Sequence, residues 1–184
     1  MCAICSNVRP GRSGGFTLAE LGVVLAVLGL LAAISIPAVA AAMDRSREAR
    51  CLSNLRQIGL AVQAYASDHD QNLPDLAAGR SSRSEAVPVM DEVLLPYAGS
   101  AEVFRCPADS RRLHESTGTS YFWNYLPVLR EDGTKNLRLP ALEFSLTGAQ
   151  EPARIPLVAD KEAFHGGGKR TNILYADGSA RPSR

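Results

Sequence analysis

Residues 21–42 run for 22 positions without a charge, and extending the run back to Phe16 gives 27 residues with a single charge, Glu20. At about 1.5 Å of rise per residue, a helix of that length crosses a hydrocarbon layer of about 30 Å. A carboxylate inside such a span is costly unless it finds a partner, so Glu20 is a functional candidate. The chain is therefore expected to anchor itself in a membrane near its N-terminus.

The helical pattern continues beyond the apolar run. Leu52, Leu55, Ile58, Val62 and Tyr65 recur at spacings of three and four, which puts them on one face with Arg47, Arg50, Asn54, Arg56 and Gln57 opposite. One helix is expected from about residue 16 to about 67, stopped by Asp68, Asn72 and Pro74. Pro37 lies inside it. Its ring removes an amide donor and crowds the preceding turn, so a kink or melted turn is expected there, the alternative being two separate helices.

Farther along, residues 77–84 are rich in Ala, Gly, Ser and Arg and read as an exposed loop. Residues 91–97 suggest a short helix, and 103–107 lead into another loop. Strands are expected at 120–125, 155–159 and 172–176. Asp177-Gly178 then signals a two-residue type I′ turn into a last strand at 179–181, ended by Pro182. The expected fold class is α+β: a long N-terminal helix, transmembrane then amphipathic, packed on a small antiparallel sheet with long loops.

Charge and cysteine content narrow the function. A net charge of +1 lacks the clustered Lys and Arg that a nucleic-acid partner requires. Cys2 and Cys5 form a C-x-x-C, but no second such pair and no histidine pair completes a zinc site. Cys51 and Cys106 permit one disulfide in an extracytoplasmic domain, two buried free thiols being the alternative. If formed, that bond would close a loop of about 56 residues and stabilise by roughly 4 kcal/mol.

His165 precedes Gly166, Gly167 and Gly168, while His69 and His114 stand in unrelated loops without ligand spacing. His165 is accordingly read as part of a turn. The three glycines lack the strand, helix and Lys-Ser/Thr context of a phosphate loop. No G-x-S-x-G elbow and no paired carboxylates stand out, so no enzyme is expected. Asp68, Asp70 and Asn72 alternate like the first ligands of an EF-hand, but Leu73 and Gly79 occupy the positions that need Gly and Glu.

Residues 1–15 are polar, carry Arg9 and Arg12, and contain no apolar segment, unlike an ordinary secretory signal. Gly15-Phe16-Thr17-Leu18-Ala19-Glu20-Leu21 resembles the processing site of type IV prepilins and type II secretion pseudopilins. The resemblance implies a cleaved leader at 1–15, a transmembrane or filament-core helix at 16–42, and an extracytoplasmic pilin-like domain at 43–184 that includes an amphipathic helix at 43–67. It implies cleavage between Gly15 and Phe16 by a prepilin peptidase and N-methylation of Phe16. Glu20 would then meet the amino terminus of a neighbouring subunit's Phe16, and Pro37 matches a helix-breaking proline of many relatives. Tip subunits of the family often lack the carboxylate, so Glu20 points to the filament body. Losing the leader would leave 18 basic against 19 acidic residues.

A second resemblance covers the domain. The stretch from Cys51 to Gly59, then Phe104-Arg105-Cys106-Pro107, then His165 ahead of Tyr175-Ala176-Asp177-Gly178, is similar to a pseudopilin-like group of planctomycete-type bacteria described by a histidine, nine residues and Asp-Gly. Eleven residues intervene here. The implied partners are like and unlike pilin subunits, the peptidase, membrane lipid and, indirectly, an assembly platform and ATPase. The implied location is a single pass of the inner (cytoplasmic) membrane, N-terminus cytoplasmic, domain periplasmic or extracellular. Counting Arg9 and Arg12 against Arg45, Arg47, Arg50 and Arg56 favours the opposite orientation. No cofactor is implied beyond the calcium that some major pseudopilins bind, for which Asp160 and Asp177 are the candidate ligands. The alternative function is a membrane-anchored module binding glycan or another surface ligand, with Tyr121, Phe122, Trp123 and Tyr125 lining the site.

Overall fold

The computed structural model describes residues 15–125, 127–140 and 151–183. Cys2, Cys5, Arg9 and Arg12 lie outside the described residues. The chain divides into two units, one ending at Ala41 and one beginning at Ala42.

Helix α1, Leu18–Asp68, is one α-helix of 51 residues with Pro37 inside it. Neither a melted turn nor a break into two helices occurs there. One missing donor leaves the rest of a long ladder of i to i−4 hydrogen bonds intact. The helix ends where Asp70 and Gln71 adopt positive φ, 53° and 63°, and the Gln71 amide turns back to donate to the Ala66 carbonyl at 2.7 Å.

In the second unit the inner face of α1 is Cys51, Leu55, Ile58 and Val62, all buried, with Leu52 and Tyr65 half-buried beside them. Asn54 departs from the expected pattern. Expected on the outer face, it is buried, and its Nδ2 donates to the Arg105 carbonyl at 2.7 Å, which gives the buried amide a partner.

Short elements follow: α2 (Met90–Val93), α3 (Leu95–Ala98), a 3-10 turn (Ala101–Phe104) and α4 (Leu113–Thr117). The single helix expected at 91–97 is two, divided at the buried Leu94 and restarted by Pro96 in the first turn of α3. Strand β1 (Tyr121–Trp123) pairs antiparallel with β4 (Pro156–Asp160), β4 with β5 (Asn172–Tyr175), and β5 with β6 (Ala180–Pro182), while β2 (Val128–Leu129) and β3 (Lys135–Asn136) make a separate pair. The inner faces of these strands, with Phe104, Tyr121, Trp123, Leu157, Val158 and Leu174, form one core with the α1 stripe. Gly59 allows the helix to approach, since a Cβ there would stand 3.1 Å from Leu174 Cδ1.

The connection from β5 to β6 differs from a type I′ turn. Gly178 donates to the Tyr175 carbonyl at 2.9 Å, Tyr175 donates to the Ser179 carbonyl at 2.9 Å, and only Gly178 has positive φ, 81°. Ala176, Asp177 and Gly178 therefore form a three-residue loop, a type I turn followed by a left-handed glycine. Asp177 accepts from the Ser179 amide and hydroxyl at 2.9 and 2.7 Å, which fixes the three-residue loop.

The expected loop at 77–84 is not wholly exposed. Arg80 is 8% exposed, donating from Nε to the Thr117 carbonyl at 2.8 Å and from Nη2 to Asp91 Oδ2 at 2.6 Å, with Glu92 on its other nitrogen. A guanidinium can be buried only when its donors are met, and here α2 and the end of α4 supply the acceptors.

Candidate functional site

Two places in the described residues hold functional chemistry. The first is the start of α1. Thr17 precedes the first helical residue and Glu20 is the third, so T-L-A-E is a capping box. Thr17 donates from its amide and its hydroxyl to Glu20 Oε2 at 2.9 and 2.8 Å, and the Glu20 amide donates to Thr17 Oγ1 at 3.2 Å. The acid singled out as an inter-subunit group thus has a partner within its own chain. The Thr-x-x-Glu spacing carried that information. Gly15 and Phe16 lie just before the cap, Phe16 being 88% exposed.

Behind the cap, residues 15–47 are exposed throughout. Leu, Val and Ile side chains project without cover from Leu18 to Val39. The helix is long and apolar enough to cross a membrane. An uncovered apolar surface of this extent implies lipid, other proteins, or both.

The second place is in the domain, under the start of its share of α1. Cys51 and Cys106 are joined by a disulfide with Cα atoms 5.1 Å apart. His165 Nε2 stands 3.5 Å from Cys106 Sγ and 3.4 Å from Asp160 Oδ2. All four residues are buried, with none more than 3% exposed. The glycines after His165 explain its position. Gly166, Gly167 and Gly168 have φ of 60°, 70° and 80°, which lets the His165 carbonyl accept from both Lys169 and Arg170 at 3.0 Å and turns the ring inward. Three successive left-handed residues suit glycine and are strained for any L side chain. His165 is thus both the turn residue expected and the ring facing the sulfurs.

Asp160 Oδ2 also accepts from the Asn172 amide at 2.7 Å, while Oδ1 is buried with no hydrogen-bond partner. Burial pushes the Asp160 carboxyl above its ordinary value, and the His165 and Asn172 hydrogen bonds act against that. Burial, then the Asp160 charge, likewise raises the Tyr121 phenol. Asp177, the other candidate calcium ligand, is engaged in its own turn, and His165 pairs with Asp160. Sequence spacing had no means of joining Cys106 to His165 across 59 positions.

Of the aromatic stretch, Tyr121 and Trp123 are buried in the core, and Tyr125 packs against it. Tyr121 and Trp123 thus present no face to a surface ligand, while Phe122 and Tyr125 are half-buried. Alternation along β1 places Tyr121 and Trp123 inward.

A long N-terminal helix, the second part of which packs on a small antiparallel sheet, is an α+β, pilin-like arrangement. In keeping with it, the chain is 38% identical over 60 residues to the Type IV major pilin protein PilA of Myxococcus xanthus (strain DK1622), a match that covers 33% of this chain and 27% of that relative. The similarity therefore spans about a quarter of the relative's length. No family model matches the chain, and no solved structure matches it.

Proposed function

We propose that this chain is a structural subunit of a type IV pilin-like filament, of the pilus or type II secretion kind, cut between Gly15 and Phe16 and methylated at Phe16. The observation that carries the reading is the uncovered apolar helix with one carboxylate at its mouth. Before assembly the helix lies in the membrane, the N-terminus on the cytoplasmic side, and afterwards in a filament core. The move exchanges one apolar environment for another and so needs little intrinsic driving force.

The capping box gives Glu20 two partners in sequence. In the lone subunit it satisfies Thr17; on assembly it turns to the free amino terminus of a neighbour's Phe16. Because the acid is hydrogen-bonded in both states, the transfer leaves no bare buried charge. The partial similarity to a major pilin supports the same reading.

The test is the intact mass of the membrane-extracted chain, with its N-terminal peptide, beside filament recovery for Glu20→Gln. A terminus at methylated Phe16 and at least a tenfold loss of sheared filament in the variant are expected. A terminus anywhere else, or normal filaments from Glu20→Gln, would overturn the proposal.

A further inference from the structure

We infer that Cys51, Cys106, His165 and Asp160 form a redox-gated binding site for a thiophilic divalent cation such as zinc, with the disulfide as its metal-free form. The inference is independent of whether the chain builds filaments.

The distances fit. For Zn–S of about 2.3 Å and Zn–N and Zn–O of about 2.0–2.2 Å, a tetrahedral site has S···N edges of about 3.6 Å and N···O edges of about 3.4 Å. The His165 Nε2 contacts are 3.5 Å to Cys106 Sγ and 3.4 Å to Asp160 Oδ2. A disulfide needs neither contact. Cys51 Sγ, Cys106 Sγ and His165 Nε2 also lie within 4.8 Å of one another. Reduction must part the sulfurs to about 3.8 Å, and the Asp160 carboxylate, which stands outside that group of three, must turn toward them, both by side-chain rotation.

The surroundings fit as well. The Asn172 amide already holds Asp160 Oδ2, as an outer-shell donor holds a ligating carboxylate. Asp160 Oδ1 is buried and lacks a hydrogen-bond partner. A route inward exists, since His165 lines a cavity of about 290 Å³ with Glu48, Ala108, Phe164, Gly166 and Arg170. Glu48 Oε1, buried and without a hydrogen-bond partner, places a further carboxylate on that route.

The chemistry balances in two steps. A dithiol or phosphine reductant supplies two electrons, and with two protons the disulfide becomes two thiols. The cation then displaces two protons and binds both thiolates, the neutral His165 ring and the Asp160 carboxylate. In reverse, a disulfide oxidant withdraws two electrons from the thiolates, remakes the S–S bond and releases the cation. A chain made with reduced cysteines would thus carry metal until it is oxidised.

The experiment uses the full chain in detergent with Cys2→Ser and Cys5→Ser, so that the N-terminal C-x-x-C cannot contribute. Reduced anaerobically with a phosphine and given cobalt(II), it is expected to take up one ion, with the thiolate charge-transfer band and strong d–d absorption of tetrahedral coordination. Zinc should displace the cobalt, and a disulfide oxidant should release it. The unreduced chain should bind none, and His165→Ala should weaken binding at least tenfold; its thermal unfolding in the oxidised state verifies that it folds. If the reduced chain loses its circular dichroism, zinc should restore it. No uptake by the reduced chain, equal uptake by His165→Ala, or a lost fold that zinc does not restore would each overturn the inference.

Discussion

Arg80 carries more of the domain than its setting in a small-residue stretch suggests. Its side chain and that of Asp91 are 4% and 8% exposed, and Asp91 Oδ1 already lacks a partner. Removing the guanidinium strands a carboxylate in low dielectric, so Arg80→Ala is expected to cost about 3 kcal/mol in urea unfolding. Adding Asp91→Ala should recover part of that loss, and a double mutant that costs the sum of the two singles would show that the residues do not act as a pair. Nothing local in the sequence announces this arrangement. A serine- and glycine-rich neighbourhood reads as loop, and the acceptors for Arg80 come from residues 11 to 37 positions later. Asn54 is missed for the same reason: a polar side chain on a helix counts as solvent-facing until its long-range acceptor is known. Glu20 is the opposite case, with both of its partners close by, and the Thr-x-x-Glu spacing was open to reading from the start.

Among the elements, α1 was the most legible, because an uncharged run and an amphipathic stripe each state a period or a length directly. The four strands of the larger sheet were visible in the sequence, yet most of their ends shifted by a residue or two, since a strand ends where its neighbour stops pairing, and the short pair β2 and β3 was not foreseen. Turn type was read from a dipeptide, and the Asp177 contacts to Ser179 decided it instead. How closely α1 and β5 pack belongs to this scale, and Gly59 sets it. Replacement by Ala exchanges roughly 1 kcal/mol of helix propensity for a tight contact with Leu174. A leucine has no such balance. Gly59→Leu is expected to lower stability by about 2 kcal/mol through overpacking, with the far-UV helical signal kept. A midpoint of thermal unfolding equal to wild type would mean that the interface can yield.

For the molecule as a whole, the division after Ala41 separates two kinds of surface. The first unit exposes its apolar side chains; the second has its own core and disulfide. A chain beginning at residue 42 is therefore expected to be soluble without detergent and to show the circular dichroism of an α+β domain, whereas the full chain should require detergent. Precipitation of the shortened chain in its oxidised form would show that the domain depends on the first unit. The cluster around His165 was the least legible feature at this scale. Its members are recognisable singly, but their meeting depends on the complete path of the chain.

The Cys51–Cys106 bond also has a mechanical meaning. A pull entering along α1 passes into the domain through helix residues, and a covalent bond ties Cys51 to a point 55 positions onward. Tension applied at the two termini cannot lengthen the segment between those cysteines while the bond holds. At about 3.4 Å per extended residue, it withholds roughly 190 Å of slack. The tethered domain can yield under load from its C-terminal strands, but the stretch from α1 to Cys106 acts as a knot in the rope.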